Sequence, residues 1–243
     1  MRRHLRQNLH NHTVFSDGRF PPARLIEEAM AAGLTALGLS DHAFTRKVFR
    51  GGDLASWSET VLPQYLRVAR EIRTMGFDDL RVWCGLELDS CLERVGAELS
   101  GLPWEQLNQL DYLLLEYVGE TDKGGLPFDR LPEIRAWCRI PVILAHPDPD
   151  RWEEALPIDR AFAIVRECGA ALELPGGTRN AWPWARRDAG LLTGLPLTIG
   201  CDTHERIADV GDIDGVLRFL EANSLTGQLT DPDRMAPRWG GNQ

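Results

Sequence analysis

The chain has 243 residues, 43% hydrophobic and 26% charged, with a formal net charge of -9. That length accommodates one α/β barrel or two smaller domains and can bury a large core; the acidic balance, without a basic block, argues against long nucleic-acid duplexes as partners. No apolar run approaches the roughly 20 residues that span a bilayer, and Met1-Arg2-Arg3-His4 has no apolar signal core behind it, so the expected setting is cytoplasmic.

Short apolar runs alternate with helical patterns from end to end. The first run, Leu5 to His12, precedes Pro21-Pro22 and a helical face of Leu25, Ile26, Ala29 and Met30 that stops at Gly33. Proline at a helix start and glycine at its stop are the expected punctuation. Thr35 to Ser40 reads as the next strand, and Leu54 to Met75 as a long amphipathic helix. Further strands are predicted at Arg81 to Glu87, Tyr112 to Glu116, Pro141 to His146, Ala170 to Leu174 and Leu197 to Asp202. Each of the seven is expected to lead into a helix, the last carrying Ile213, Val216, Leu217 and Leu220. Continuous apolar strands suit a parallel sheet buried on both faces, and repeated βα units suit a barrel or a doubly wound sheet. There is no internal repeat or linker, so residues 1–243 read as a single domain; the stretch 225–243 shows no pattern beyond a capping tail.

The chemistry-bearing residues fall where the strands end. The first strand ends at His10-Asn11-His12, the second at Asp41-His42 and the third at Glu87, followed by Asp89. The fourth ends at Glu116, the fifth at His146 and the seventh at Asp202-Thr203-His204. Parallel barrels build their sites at these C-terminal ends, so five of the six histidines, all but His4, would meet at one mouth. An HxH pair on an extended strand turns both imidazoles to one face, and Asp17 in the following loop can reach the same place. Imidazoles with carboxylates suit Zn, Mn or Fe rather than calcium. Each piece alone has an ordinary explanation as a strand-end or solvated side chain. The set does not, because so many charges at the ends of buried strands are costly unless they pair or bind cations. The five cysteines, Cys84, Cys91, Cys138, Cys168 and Cys201, are odd in number, show no CxxC spacing and read as buried free thiols.

These motifs resemble the PHP family of metal-dependent phosphoesterases (polymerase and histidinol phosphatase). The resemblance rests on Leu9-His10-Asn11-His12-Thr13, Ser16-Asp17-Gly18, Gly38-Leu39-Ser40-Asp41-His42, Gly85-Leu86-Glu87, Ala145-His146-Pro147 and Gly200-Cys201-Asp202-Thr203-His204, within residues 8–211. It implies a distorted (β/α)7 barrel and three divalent metal ions. By motif, His10, His12, Glu87 and Asp202 would form a first metal site. Glu87 would bridge to a second shared with His146, and Asp17, His42 and His204 would form a third. The family's fourth strand usually ends in a histidine; this chain offers Glu116 there.

The implied reaction is hydrolysis of a small phosphate ester of histidinol-phosphate, sugar-phosphate or nucleotide type. A cluster of divalent ions lowers the pKa of a bound water and offsets charge on phosphate oxygens. Glu87, Asp202 and His204 are the candidate catalytic groups, the last two as proton carriers to the leaving group, and Asp41 is a candidate to hold an imidazole or a water. Arg179 and Arg151 are candidate phosphate contacts; Arg19 and Arg46 lie near motif loops, and Trp182 and Trp184 are candidates for a pocket wall. Two rival readings stay open. One is a metal-dependent hydrolase of carbon–nitrogen bonds, against which the two lysines, Lys47 and Lys123, lie outside the strand ends where a bridging carboxylated lysine would be needed. The other is a non-catalytic metal-binding module.

Overall fold

Buried parallel strands need apolar side chains on both faces, and the seven apolar runs become strands of one sheet. A computed structural model describes residues 5–45, 54–177, 184 and 187–235. In chain order its main elements are β1 (Gln7–Asn8), α1 (Pro22–Ala31), β2 (Ala36–Leu39), β3 (His42–Ala43), α2 (Leu54–Thr74), β4 (Arg81–Asp89), α3 (Trp104–Leu107) and β5 (Tyr112–Glu116). They continue with α4 (Leu131–Ile134), β6 (Val142–Leu144), α5 (Pro149–Ala155), α6 (Ile158–Cys168), β7 (Ala171–Pro175), β8 (Leu197–Gly200) and α7 (Asp214–Ala222). The sheet order is β1-β2-β4-β5-β6-β7-β8, every pairing parallel. The second run is interrupted at Ser40-Asp41, and its continuation β3 pairs with the far half of β4, His42 opposite Glu87. Backbone hydrogen bonds from Leu9 to Ile199 (2.7 Å) and from His12 to Thr203 (2.9 Å) bring the first and last strands together. The result is the distorted seven-position barrel expected from the sequence.

Two apolar layers follow from the strand period. Val82, Cys84, Leu86 and Leu88 pack outward against the helices, while Trp83 shares the barrel interior with Leu9, Ala36, Tyr112, Leu114, Ile143, Ala145 and Ala171. The interior is filled, not hollow. The Tyr112 ring occupies the space that side chains at Gly38 and Gly85 would take: a Cβ there would lie 2.2 Å from the Tyr112 hydroxyl and 2.7 Å from its ring. The hydroxyl donates to the Leu9 carbonyl at 2.6 Å. Glycine two residues before Glu87 therefore makes room for an aromatic plug directly beneath a candidate ligand.

Three expectations need correction or refinement. The connections after β4 and β5 hold only one-turn α-helices and 3-10 turns: Gly96 and Gly124, at φ of +65° and +79°, end two of them, and Pro103, Pro127 and Pro132 stand at the starts of others. Between β7 and β8 the described residues include the 3-10 segment Ala189–Leu192 and no α-helix. On α1, Leu25, Ile26 and Ala29 are buried but Met30 is 52% exposed, beyond the edge of the apolar stripe. The patternless tail packs onto the barrel through its described residues, 225–235. Thr230 donates to Leu197, the Trp83 indole reaches Asp233 at 3.4 Å, and Met235 packs with Leu5 on the interior cluster. This segment closes the N-terminal end of the barrel.

Candidate metal centre

The opposite, C-terminal end gathers the predicted ligands. His10 and His12 follow β1, both fully buried, with their Nε2 atoms 3.0 Å apart. Each ring is held from behind. His10 Nδ1 lies 3.0 and 3.2 Å from the two carboxylate oxygens of Glu173 on β7. His12 Nδ1 lies 3.4 Å from Ser16 Oγ, which donates to Asp41 at 2.6 Å. Asp41 also accepts from the Thr13 amide and hydroxyl at 2.7 and 2.8 Å. Asp41 thus anchors the loop after His12 and reaches that imidazole through Ser16. A histidine whose far nitrogen donates to such a partner has its other nitrogen bare for a cation.

Glu87, fully buried on β4, stands at the centre. Its Oε1 is 3.2 Å from both His10 Nε2 and His146 Nε2, and its Oε2 is 2.7 Å from His42 Nδ1 and 3.5 Å from His12 Nε2. Asp202 Oδ1 lies 3.1 Å from His12, 3.4 Å from His10 and 3.4 Å from His204. Asp17 Oδ1 lies 3.2 Å from His204 and 3.6 Å from His42. All nine predicted ligands come together in overlapping groups: His10, His12 and Asp202; His10, Glu87 and His146; His12, Asp17, His42 and His204; and His42, Glu87 and Glu116. His10 and His12 are thus more widely shared than the motif assignment has them. Glu116, buried, groups with His42 and Glu87 and is 3.8 Å from His146.

The backbone is strained at this mouth. Of the five non-glycine residues described with positive φ, four lie within two residues of a strand's C-terminal end: Phe44 (59°), Tyr117 (63°), His146 (27°) and Asp202 (49°). Such conformations cost of order 1–3 kcal/mol each and persist only where the surroundings enforce them. Two are candidate ligands.

The donor set fits divalent cations. The ion pairs of Asp17, Glu87 and Asp202 run to imidazoles, and among the described residues Glu87 Oε2 is buried without a hydrogen-bond partner, its 2.7 Å contact with His42 being an ion pair only if that imidazole is protonated. Lone pairs crowded this closely call for positive charge between them. Protons supply it when metal is absent. Burial opposes charge on His146, but the hydrogen bond to Glu87 and its negative charge lift the group to about 9. His10 is raised in the same way by Glu173, Glu87 and Asp202 against burial. Burial, with His42 and His10 beside it, drives His12 down to about 3 in spite of Asp202 and Glu87. Burial would raise Asp17, yet His204, His42 and His12 hold it at about 2.

The remaining predictions divide. Arg151 is engaged by Asp122 at 2.6 Å, with Glu120 and Asp148 at 3.6 and 3.8 Å. The Arg19 amide donates to the His204 carbonyl. Trp184 is buried against Phe162, a packing role rather than a pocket wall. Lys123 pairs with Glu120 at 2.7 Å, in the loop after β5. Arg46, Lys47, Arg179 and Trp182 lie outside the described residues. All five cysteines are buried and unbridged, and burial raises their thiols, Cys84 to about 12, which disfavours thiolate chemistry. Sequence reasoning missed Glu173 and Tyr117. The available signal for Glu173 was an acid inside the apolar run Ala170-Ala171-Leu172-Glu173-Leu174; Tyr117, whose ring lies 6.5 Å from that of His146, has no such signal.

Residues 8–123 match the PHP domain, an interval that holds His10, His12, Asp17, His42, Glu87 and Glu116. That segment belongs to the PHP domain family. An uncharacterised protein of Methanocaldococcus jannaschii is 32% identical over 84 residues, 35% of this chain and about a third (34%) of that protein's length. Among solved structures, the barrel is similar to a histidinol phosphate phosphatase of Lactococcus lactis subsp. lactis Il1403, complexed with Zn, L-histidinol and phosphate. The TM-score is 0.53 at 16% identity, over 88% of this chain and 93% of that one. It is also similar to a chain of an archaeal ribonuclease P solved with mature tRNA, with a TM-score of 0.51 at 10% identity over 94% and 88%. At these identities the likeness is one of fold. The later candidate ligands His146, Asp202 and His204 lie beyond the matched interval and join it through the barrel's closure.

Proposed function

We propose that the chain is a metal-dependent phosphoesterase acting on a small phosphate ester. One observation carries the reading: a PHP domain match in a chain whose barrel mouth gathers five imidazoles and four carboxylates, with ligand atoms in groups within 4.8 Å. His10, His12, Glu87 and Asp202 would hold one ion, Glu87, His146 and Glu116 a second, and Asp17, His42 and His204 a third, each of Zn, Mn or Fe type. When bound, such ions acidify a water and offset negative charge on phosphate oxygens.

The chain's own residues do the rest. Glu87 meets imidazoles with both oxygens and keeps neighbouring ligands at a common centre. Asp202 and His204 lie at the solvent edge, with side chains 33% and 19% exposed, and are the candidates to pass a proton to the departing alcohol. His204 is suited to that task because Asp17 and Asp202 raise it above the ordinary imidazole value against the effect of burial. The raised thiols leave no cysteine suited to covalent attack, which agrees with direct hydrolysis. Arg151 and Arg179 remain the proposed phosphate contacts.

The fold neighbour's complex with L-histidinol and phosphate makes histidinol phosphate a sensible first substrate, alongside sugar phosphates and nucleotides. The rival amide or lactone hydrolase with a bridging lysine finds no support in Lys123, which is held by Glu120. The test is a panel of phosphate esters, amides and lactones offered to protein loaded with Mn or Zn. Turnover confined to phosphate esters supports the proposal, and turnover confined to amides or lactones rejects it.

A further inference from the structure

Glu173 breaks the rule that charged groups avoid the middle of buried strands. It sits on β7 between Leu172 and Leu174, both fully buried, and is itself 1% exposed. A buried carboxylate is costly unless its lone pairs are filled. Here two donors fill them. The His146 amide donates to Oε1 at 2.9 Å, and His10 Nδ1 faces Oε1 at 3.2 Å and Oε2 at 3.0 Å. The space is built for this group: a Cβ at Gly200 would lie 2.1 Å from Glu173 Oε2, so only glycine at the end of β8 admits the carboxylate.

We infer that Glu173 is a positioning residue that couples two neighbouring metal sub-sites from beneath, by fixing the His10 tautomer and seating the strained backbone of His146. The inference rests on the reading of the cluster as a metal centre, and not on the nature of the substrate. Of the two neutral tautomers of His10, only the Nδ1–H form gives Glu173 a donor, and it leaves Nε2 bare toward Glu87, Asp202 and His12. His146 adopts φ of 27°, and its amide bond to the same carboxylate holds that turn while its Nε2 points at Glu87. The two rings lie nearly parallel, with centroids 5.6 Å apart. Glu87 Oε1 touches both imidazoles at 3.2 Å from one side, and Glu173 grips both residues from the other.

Glu173→Gln separates this role from simple space-filling, because it keeps the shape. The amide oxygen still accepts from the His146 N–H, but the NH2 group then faces His10 Nδ1 and favours the tautomer with Nε2 protonated, which cannot bind a cation. Loss of such an outer partner typically weakens metal binding about 10–100-fold. The experiment titrates zinc into the metal-stripped full chain by calorimetry, for the natural protein and for Glu173→Gln. Melting curves check that the variant is folded, and imidazole 15N shifts of the zinc-loaded natural protein report the His10 tautomer. The expected result is a folded variant that binds zinc at least 10-fold more weakly, with His10 of the natural protein protonated at Nδ1. Unchanged zinc affinity and stoichiometry in Glu173→Gln would overturn the inference, as would a bare Nδ1 on His10 or a natural chain that takes up no zinc. A chain that binds zinc in this Glu173-dependent way yet cleaves no phosphate ester would reject the proposed function and leave the inference standing.

Discussion

At the C-terminal ends of its strands the barrel buries His10, His12, Glu87 and Glu116; at the N-terminal ends the same strands bury Ala36, Trp83, Ile143 and Ala171, closed off by Leu5 and Met235. The lower end gains from removing apolar surface from water. The upper end pays for desolvated charge, for crowded lone pairs and for positive φ at Tyr117, His146 and Asp202. Between the two lies Tyr112, whose ring fills the space beneath the mouth and whose hydroxyl ties β5 to the backbone just after β1, at Leu9. The contrast teaches that one end holds the fold together while the other is held in place by it. Changes at the lower end should therefore read out in stability, and changes at the mouth in metal binding and turnover.

The largest stability effect is expected at the lower end. Trp83→Ala removes a buried indole and should destabilise by about 3–5 kcal/mol in denaturant unfolding, while the fraction that remains folded keeps its metal affinity. A matching loss of metal affinity would blur the division between the two ends. At the mouth, Glu87→Gln keeps the shape but removes the shared charge. Since outer partners cost about 10–100-fold, a central ligand should cost about 100-fold or more in metal affinity, with turnover falling alongside. Metal uptake as tight as in the natural protein would show that Glu87 is not the common ligand.

The layer between the ends offers a graded test. A Cβ at Gly38 would lie 2.2 Å from the Tyr112 hydroxyl, so Gly38→Ala should overpack the interior by about 1–3 kcal/mol. Adding Tyr112→Phe should recover part of that loss, and strict additivity in a double-mutant cycle would exclude the contact as its cause. The gentlest change is in pH. With His146 raised to about 9 in the metal-free fold, its pairing with Glu87 stabilises fully below the unfolded value of about 6.5 and is lost as pH rises through about 9. The melting temperature of metal-stripped protein should drift down over that window, and apparent metal affinity should rise, because bound metal must displace the same protons. A metal-free melting temperature that climbs from pH 6.5 to 9 would reverse the assigned sign.

Much of this could be read from the sequence, for physical reasons that also explain what could not. Parallel strands buried on both faces are continuous apolar runs, so Tyr112-Leu113-Leu114-Leu115 and Pro141-Val142-Ile143-Leu144 announce themselves, and a candidate ligand at the end of each run stands out by contrast. Glu173 was hidden because it interrupts a run instead of ending it, and its partners His10 and His146 are remote in sequence. The short helices after β4 and β5 were overread because glycines in the left-handed region, Gly96 and Gly124, interrupt a helical period that apolar spacing alone suggests. The closure of the lower end by Leu229 to Met235 depends on contacts with Leu197 and Trp83 that no local pattern encodes. Grouping also exceeded what motifs convey. His12 faces Asp202 on one side and the Asp17, His42 and His204 set on the other, which only the closed barrel reveals.

The most direct test of the central claim is hydrolysis of a generic aryl phosphate by metal-stripped protein during stepwise addition of Mn or Zn, with bound metal counted at each step. The account predicts no turnover in the stripped protein, turnover that rises with metal bound, and loss of both in His10→Ala. Full turnover without metal, or a metal-filled cluster that cleaves no phosphate ester, would contradict it.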